Sequence, residues 1–125
     1  MIHPKEEGIY SAFCEGREIV ARCEYSPSLL FRMKGLLGKE CLRTGEGILL
    51  LPCNSIHMWF MKFPIDALFL NKAGKIVALY DSILPWRISS LHWDATAVLE
   101  IEAGRRTKVG VQVGDILTFK IQSTP

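Results

Sequence analysis

The feature that most constrains this fold is a succession of short runs of branched and aromatic residues, each followed within a few positions by a turn signal. Runs of this length and composition are typical of β-strands, whereas helices need longer apolar patterns. Helical patterns do not alternate with these runs, which argues against a βαβ arrangement. The sequence therefore predicts an all-β fold, a small β-barrel or β-sandwich. The predicted strands are 9–14, 19–25, 48–51, 57–61, 65–70, 75–80, 96–101 and 116–121.

Residues 8–25 are predicted to form a β-hairpin, and one short α-helix is predicted directly after this first hairpin. It begins at Ser26-Pro27, because a capping hydroxyl there precedes a proline at the first helical position. It ends at Gly35 or Gly38. A single helical turn is also predicted over 105–110. The apolar residues of the first helix recur at three- and four-residue intervals, and they are Leu29, Leu30, Met33, Leu36 and Leu37.

Length and charge exclude several classes of protein. A chain of 125 residues predicts a single domain over 1–125. The net charge of +2 is too small to predict binding to nucleic acid or to an anionic membrane. No apolar run approaches the length that crosses a bilayer. The N-terminus has no apolar signal core, so the chain as written is expected in the cytoplasm, or outside it if a leader was removed.

The cysteines predict neither a disulfide framework nor a metal centre. None of Cys14, Cys23, Cys41 and Cys53 forms a C-x-x-C pair, and buried free thiols are common in cores. Cys53 and His57, with Cys41 upstream, could bind zinc, but a clear fourth ligand is missing. We therefore predict no metal and no cofactor.

The stretch 56–66 is the densest run of large apolar residues, and it contains three polar side chains. His57 and Asp66 could form a general acid–base pair, or each could serve the structure, with Asp66 accepting bonds from backbone N–H groups. No activated nucleophile accompanies them, which favours the structural alternative and a non-enzymatic protein. Lys62 could bind an anionic ligand at a pocket mouth or act as a base, or its stem could lie on the apolar wall.

The segment 81–94 is the longest predicted irregular piece, and long loops with aromatic residues are often functional. Trp86 and Trp93 are expected to be exposed there, and the neighbouring Arg87 and His92 could supply polar contacts to a ligand. A stacking platform for a sugar or base could form from Trp59, Trp86 and Trp93 with Tyr80, although core packing is the default for Trp59.

Several motifs in order resemble a known family. They are RMKGLLG at 32–38, GEG at 45–47, IHMWFMKFPID at 56–66, VLEI and AG within 98–104, and GD at 114–115. Over about residues 19–121 the chain is similar to the family called domain of unknown function 192. The resemblance implies a compact, mostly β fold with one helix near the start. It supplies no catalytic residues. Because many family members carry a leader and work outside the cytoplasm, the resemblance also allows a location outside the cytoplasm.

These patterns favour a non-enzymatic binding or accessory domain, with a pocket beside His57–Asp66 that the 81–94 segment roofs. Its expected partner is a small polar or anionic ligand or a peptide. The alternatives are a small hydrolase or lyase using His57, Lys62 and Asp66, and a purely structural or interaction domain. The predicted ligand-binding residues are His57, Trp59, Lys62, Asp66, Trp86, Arg87 and Trp93.

Overall fold

The computed structural model describes residues 7–25, 42–56 and 62–123. The helix expected after the first hairpin and the strand expected over 57–61 lie outside these residues. The described elements are β1 (Gly8–Cys14), β2 (Arg17–Tyr25), β3 (Glu46–Leu50), β4 (Ile65–Leu70), β5 (Ile76–Ile83), β6 (Ala97–Glu102), α1 (Arg105–Val109) and β7 (Leu117–Ser123).

The seven strands form one sheet in the order β5-β4-β6-β3-β2-β1-β7. All neighbouring pairs are antiparallel except β2 and β3, which are parallel. The sheet curls until its two edge strands meet at one end, where Lys75 and Ile116 form an isolated bridge. The prediction of a small, mostly β domain is confirmed, and the described strands form one curled sheet that is not a closed barrel.

The first hairpin shows how local sequence sets the pairing. Glu15 and Gly16 both have positive φ, at 52° and 78°. Two successive positive φ values are typical of the two-residue turn whose twist matches that of paired strands. The hairpin predicted over 8–25 is therefore confirmed.

The sheet has two apolar faces. The inner face takes side chains from all seven strands, among them Leu49, Leu68 and Leu99. The outer face of β3, β4 and β6 carries a second cluster, which includes Ile48, Ala67, Phe69 and Val98. Four buried residues outside the strands pack on this outer face, and we call them the covering layer. They are Leu42, Ile56, Phe63 and Ala95.

β5 continues three residues beyond its predicted end at Tyr80, so the irregular segment begins at Leu84. Asp66 faces two residues of β5, Asp81 and Ser82, because the register shifts at this point. Ser82 has a φ of 49°. An extra residue of this kind is a β-bulge, which bends a strand without ending it.

Candidate functional site

The structure describes five of the seven predicted ligand-binding residues, since His57 and Trp59 lie outside the described ranges. Lys62, Trp86, Arg87 and Trp93 are exposed. Asp66 is fully buried, with 0% of its surface exposed. The ligand-binding role of this set stays a prediction.

Asp66 joins three elements through backbone hydrogen bonds. Its Oδ1 accepts a bond from the N–H of Ser82 at 2.7 Å, on the bulge of β5. Its Oδ2 accepts a bond from the N–H of Arg106 at 2.9 Å, in the first turn of α1. A helix of five residues is too short to form by propensity alone, so this bond helps to hold it in place. The arrangement is the one expected of a structural Asp66.

The Arg106 side chain strengthens the same junction. Its Nε donates to Asp81 Oδ1 at 2.8 Å, and its second guanidinium nitrogen pairs with Asp81 Oδ2. This hydrogen bonding lowers the pKa of Asp81 below its ordinary value, against a smaller opposing effect of burial. Both carboxylates therefore tie the bulge of β5 to α1.

Asp66 and the 84–93 segment lie on opposite faces of the sheet. Asp66 pairs with Ile101, whose side chain belongs to the inner cluster. The 84–93 segment packs on the outer face, where the His92 ring lies 4.5 Å from that of Phe69. The structure thus separates Asp66 from Trp86, Arg87 and Trp93, because neighbouring residues of a strand point to opposite faces.

Tyr80 and His92 anchor the 84–93 segment to β5. The Ser90 N–H donates to the Tyr80 hydroxyl oxygen at 3.0 Å. The same hydroxyl lies 2.8 Å from His92 Nε2. The Tyr80 hydroxyl proton is therefore available to donate to Nε2, which favours the His92 tautomer protonated at Nδ1.

Ser89 and Ile56 form a reciprocal second anchor. The Ser89 N–H donates to the Ile56 carbonyl at 2.8 Å. The Ile56 N–H donates to Ser89 Oγ at 2.9 Å. His92 adds a bond from its N–H to the Asn54 carbonyl at 2.9 Å. The backbone of the segment is thus held against the covering layer at several points.

The side chains of this anchored segment face outward. Large apolar residues are more than one-third exposed at several described positions, and five of these lie between positions 84 and 93. We call these five residues, together with Arg87, the 84–93 surface. The five are Leu84 at 52% exposed, Trp86 at 62%, Ile88 at 65%, Leu91 at 46% and Trp93 at 84%.

Glu100 is a buried acid that sequence reasoning did not select, although it lies in one of the family motifs. It sits on β6 with 4% of its surface exposed. Its Oε1 has no hydrogen-bond partner among the described residues. Burial raises the pKa of its carboxyl from 4.5 to about 7. The available sequence signal was an acidic residue flanked by Leu99 and Ile101 within a buried strand.

Two of the three described thiols, Cys14 and Cys23, have little reactivity. Cys14 and Cys23 are buried, and Cys53 is half-buried. Burial raises the pKa of the Cys23 thiol, and burial with the nearby Asp115 raises that of Cys14. Such thiols stay protonated and are poor nucleophiles. Within 7–25, 42–56 and 62–123, no three His, Cys, Asp or Glu side chains come together as a metal site would require.

Comparison with known proteins supports the resemblance drawn from the motifs. The model of the DUF192 family, described as an uncharacterized ACR, matches residues 14–119. The family prediction over about 19–121 is therefore confirmed. No curated protein matches the sequence. Among the described parts of the chain, no helix has the length and apolar character needed to cross a membrane.

Two crystal structures share the fold. One is a protein of unknown function from Novosphingobium aromaticivorans DSM 12444, with a TM-score of 0.75 and 21% identity over 94% of this chain and 91% of that one. The other, from Sinorhizobium meliloti 1021, is described as a candidate transcription regulator. It has a TM-score of 0.74 and 21% identity over 94% of this chain and 98% of that one. Likeness at this identity concerns the fold alone.

Proposed function

This chain belongs to the uncharacterized DUF192 family, and we propose that it is a non-enzymatic binding domain whose 84–93 surface docks a partner polypeptide. The observation that carries this proposal is the combination of an anchored backbone with outward-facing apolar side chains. Single exposed apolar residues are ordinary, whereas several on one short segment mark interaction sites.

The anchoring of the segment favours binding because it lowers the entropy lost on association. The bonds of Ser89, Ser90 and His92 to Ile56, Tyr80 and Asn54 fix the backbone before any partner arrives. A surface ordered in advance loses less conformational freedom when it binds.

Trp86 has a strained backbone conformation. It follows Pro85 in a turn closed by the Arg87 N–H, which donates to the Leu84 carbonyl at 3.2 Å. Its φ is 69°. Glycine or asparagine is usual at this turn position, and a bulky residue there costs about 1–2 kcal/mol. Strained residues cluster at functional sites, and this side chain is 62% exposed.

The chemistry of the surface favours a partner that combines apolar and acidic side chains. Tryptophan and arginine are the residues most enriched in binding hot spots. Arg87 is exposed beside Trp86, and its planar guanidinium suits a carboxylate bound through two hydrogen bonds. Exposed Lys62 is a second cation in the predicted set. Five apolar side chains spread over ten positions suit an extended peptide better than a small anion.

The catalytic alternative has less support from the described residues. A hydrolase or lyase would use His57, Lys62 and Asp66. Asp66 faces the inner side of the sheet, and both its oxygens accept backbone bonds. Lys62 is exposed. This geometry favours a structural Asp66.

The test uses labelled peptides that alternate Leu, Trp and Glu, with matched peptides in which Lys replaces Glu. We expect the acidic peptide to bind about tenfold more tightly and to shift the amide NMR signals of residues 84–93. Trp86→Gly should weaken binding while leaving the free energy of unfolding unchanged or slightly higher, because glycine relieves the strain. Arg87→Gln should reduce the difference in affinity between the acidic peptide and the Lys-substituted peptide.

Val113→Ser is the control, since Val113 is 57% exposed and lies in the loop before β7, outside the 84–93 surface. Equal loss of binding in Val113→Ser and Trp86→Gly would contradict the proposal. If acetate or citrate shifted the same amide signals and neither peptide did, the partner would be a small anion and not a polypeptide. A short DNA duplex completes the panel, and its binding would point to a nucleic-acid partner.

A further inference from the structure

Glu100 lies at the centre of the sheet. β6 runs between β3 and β4, and Glu100 pairs with Ile48 on one side and with Ala67 on the other. Both of these neighbours belong to the outer apolar cluster. The Glu100 side chain therefore lies on the outer face, the face that carries the covering layer, and 4% of its surface is exposed.

One oxygen of the Glu100 carboxyl lacks the hydrogen-bond donor that a buried charge needs. Its Oε1 has no hydrogen-bond partner in the described part of the chain. A neutral carboxylic acid tolerates such a site far better than a carboxylate does, because burial mainly penalises the charged form. Burial is accordingly the cause that raises the pKa of Glu100 from 4.5 to about 7.

The charged groups around Glu100 do not offset this burial. Glu46 and Glu102 already accept bonds, from the Arg43 N–H at 2.8 Å and from Thr44 Oγ1 at 2.8 Å. Within the described ranges, the titratable and charged groups that share the outer face or flank the covering layer are Glu24, Glu46, Glu102, Asp94, Arg22, Arg43, Lys62, Cys53, Tyr80 and His92.

We propose that Glu100 is a pH-sensitive switch beneath the covering layer. While it keeps its proton, the layer closes over an apolar face that contains a neutral acid. When it loses the proton, the layer loosens so that water or a cation can reach the carboxylate. Ile56 belongs to this layer and holds Ser89, so the switch also governs the anchoring of the 84–93 surface. Only this last step rests on the proposed binding function.

The direction of the response follows from proton linkage. In the open state Glu100 is exposed to water and its carboxyl has the ordinary pKa of a glutamate. In the closed state burial raises this pKa, so the carboxyl holds its proton more tightly. Raising the pH therefore favours opening. The opening constant should rise about tenfold per pH unit between about pH 4.5 and 7, and then level off.

The test is native-state hydrogen exchange at the amides of Ile56 and Ser89, from about pH 5 to pH 8, with intrinsic exchange rates divided out. In the wild-type protein we expect their opening constants to rise about a hundredfold across this range. In Glu100→Gln, which cannot ionise, they should stay constant. The control Glu102→Gln should behave like the wild type. Constant values in the wild type, or the same rise in Glu100→Gln, would overturn the switch.

A second measurement needs no variant, and so it can still overturn the proposal if Glu100→Gln fails to fold. Carbon NMR of the Glu100 side-chain carboxyl follows its ionisation directly. A midpoint near neutral pH supports the switch, and a midpoint at the ordinary glutamate value overturns it. The peptide titration of Trp86→Gly remains a separate test, so failure of the binding proposal and failure of the switch are distinguishable.

Discussion

Asp66 and Glu100 are two buried acids one step apart in the same strand pairing, and they differ in what surrounds them. Asp66 pairs with Ile101, and Glu100 pairs with Ala67, so the two acids point to opposite faces. Asp66 receives a backbone N–H at each oxygen. Glu100 has an oxygen with no partner among the described residues. Burial alone therefore does not decide the role of a carboxyl, since the supply of donors differs between the two sites.

The positions of the two acids explain the difference in donors. Asp66 lies where β5 bulges and where α1 begins, and both features leave backbone N–H groups without a ladder or helix partner. Glu100 lies in the middle of β6, where pairing with β3 and β4 uses the backbone groups. A carboxyl finds donors where regular structure is interrupted, and it finds few in the middle of a sheet.

The largest effect is expected from Asp66→Ala. This variant leaves the N–H groups of Ser82 and Arg106 without their acceptors, and each unsatisfied buried group costs about 1–3 kcal/mol. We expect the free energy of unfolding, measured in urea, to fall by about 2–5 kcal/mol. Asp66→Asn keeps one oxygen acceptor and should recover part of the loss. A loss below about 1 kcal/mol would show that water replaces the carboxylate and that the two acids differ less than proposed.

A smaller effect is expected from pH acting on Glu100. The folded protein holds this proton more tightly than the unfolded chain, so stability falls as pH rises from 4.5 to about 7. The fall amounts to about 3 kcal/mol at most. Urea titrations across this range should show that fall in the wild type relative to Glu100→Gln. If the unfolding free energy changed with pH in the same way in both proteins, the Glu100 proton would not be held more tightly in the folded state. The proposed difference between Glu100 and Asp66 would then be wrong.

The smallest effect is expected from Arg106→Ala. The variant keeps the backbone N–H that donates to Asp66. It removes the ion pair with Asp81, whose side chain is 49% exposed, and a long hydrogen bond from Arg106 Nη1 to the Val111 carbonyl at 3.4 Å. Exposed pairs are weakened by solvent, so we expect a loss of about 0.5–1 kcal/mol at neutral pH. Because Arg106 lowers the pKa of Asp81, this difference should shrink as acid protonates Asp81. If Arg106→Ala lost as much unfolding free energy as Asp66→Ala, the ion pair would stabilise the contact between β5 and α1 as much as the buried carboxylate does, which contradicts this prediction.

Local patterns predicted the elements of the fold better than its layout. The turn at Glu15-Gly16 and the strand over 65–70 follow from residues close together in sequence. The end of β5 was missed because the bulge at Ser82 is held by Asp66, which lies 16 positions earlier. The exposure of Trp86 and Trp93 matches the sequence expectation for the 81–94 segment, whereas its anchoring to Ile56 and Asn54 could not be read from local sequence.

The sequence by itself determined the family, the mostly β class and the aromatic character of the 84–93 surface, because these depend on residue type and local spacing. Only the tertiary structure decided that Asp66 points inward to two backbone donors and that Glu100 is buried with an unpaired oxygen. The physical reason is that hydrogen-bond donors and burial come from distant residues. Arg106 lies 40 positions from Asp66, and the covering layer on the face of Glu100 combines residues from both sides of β4.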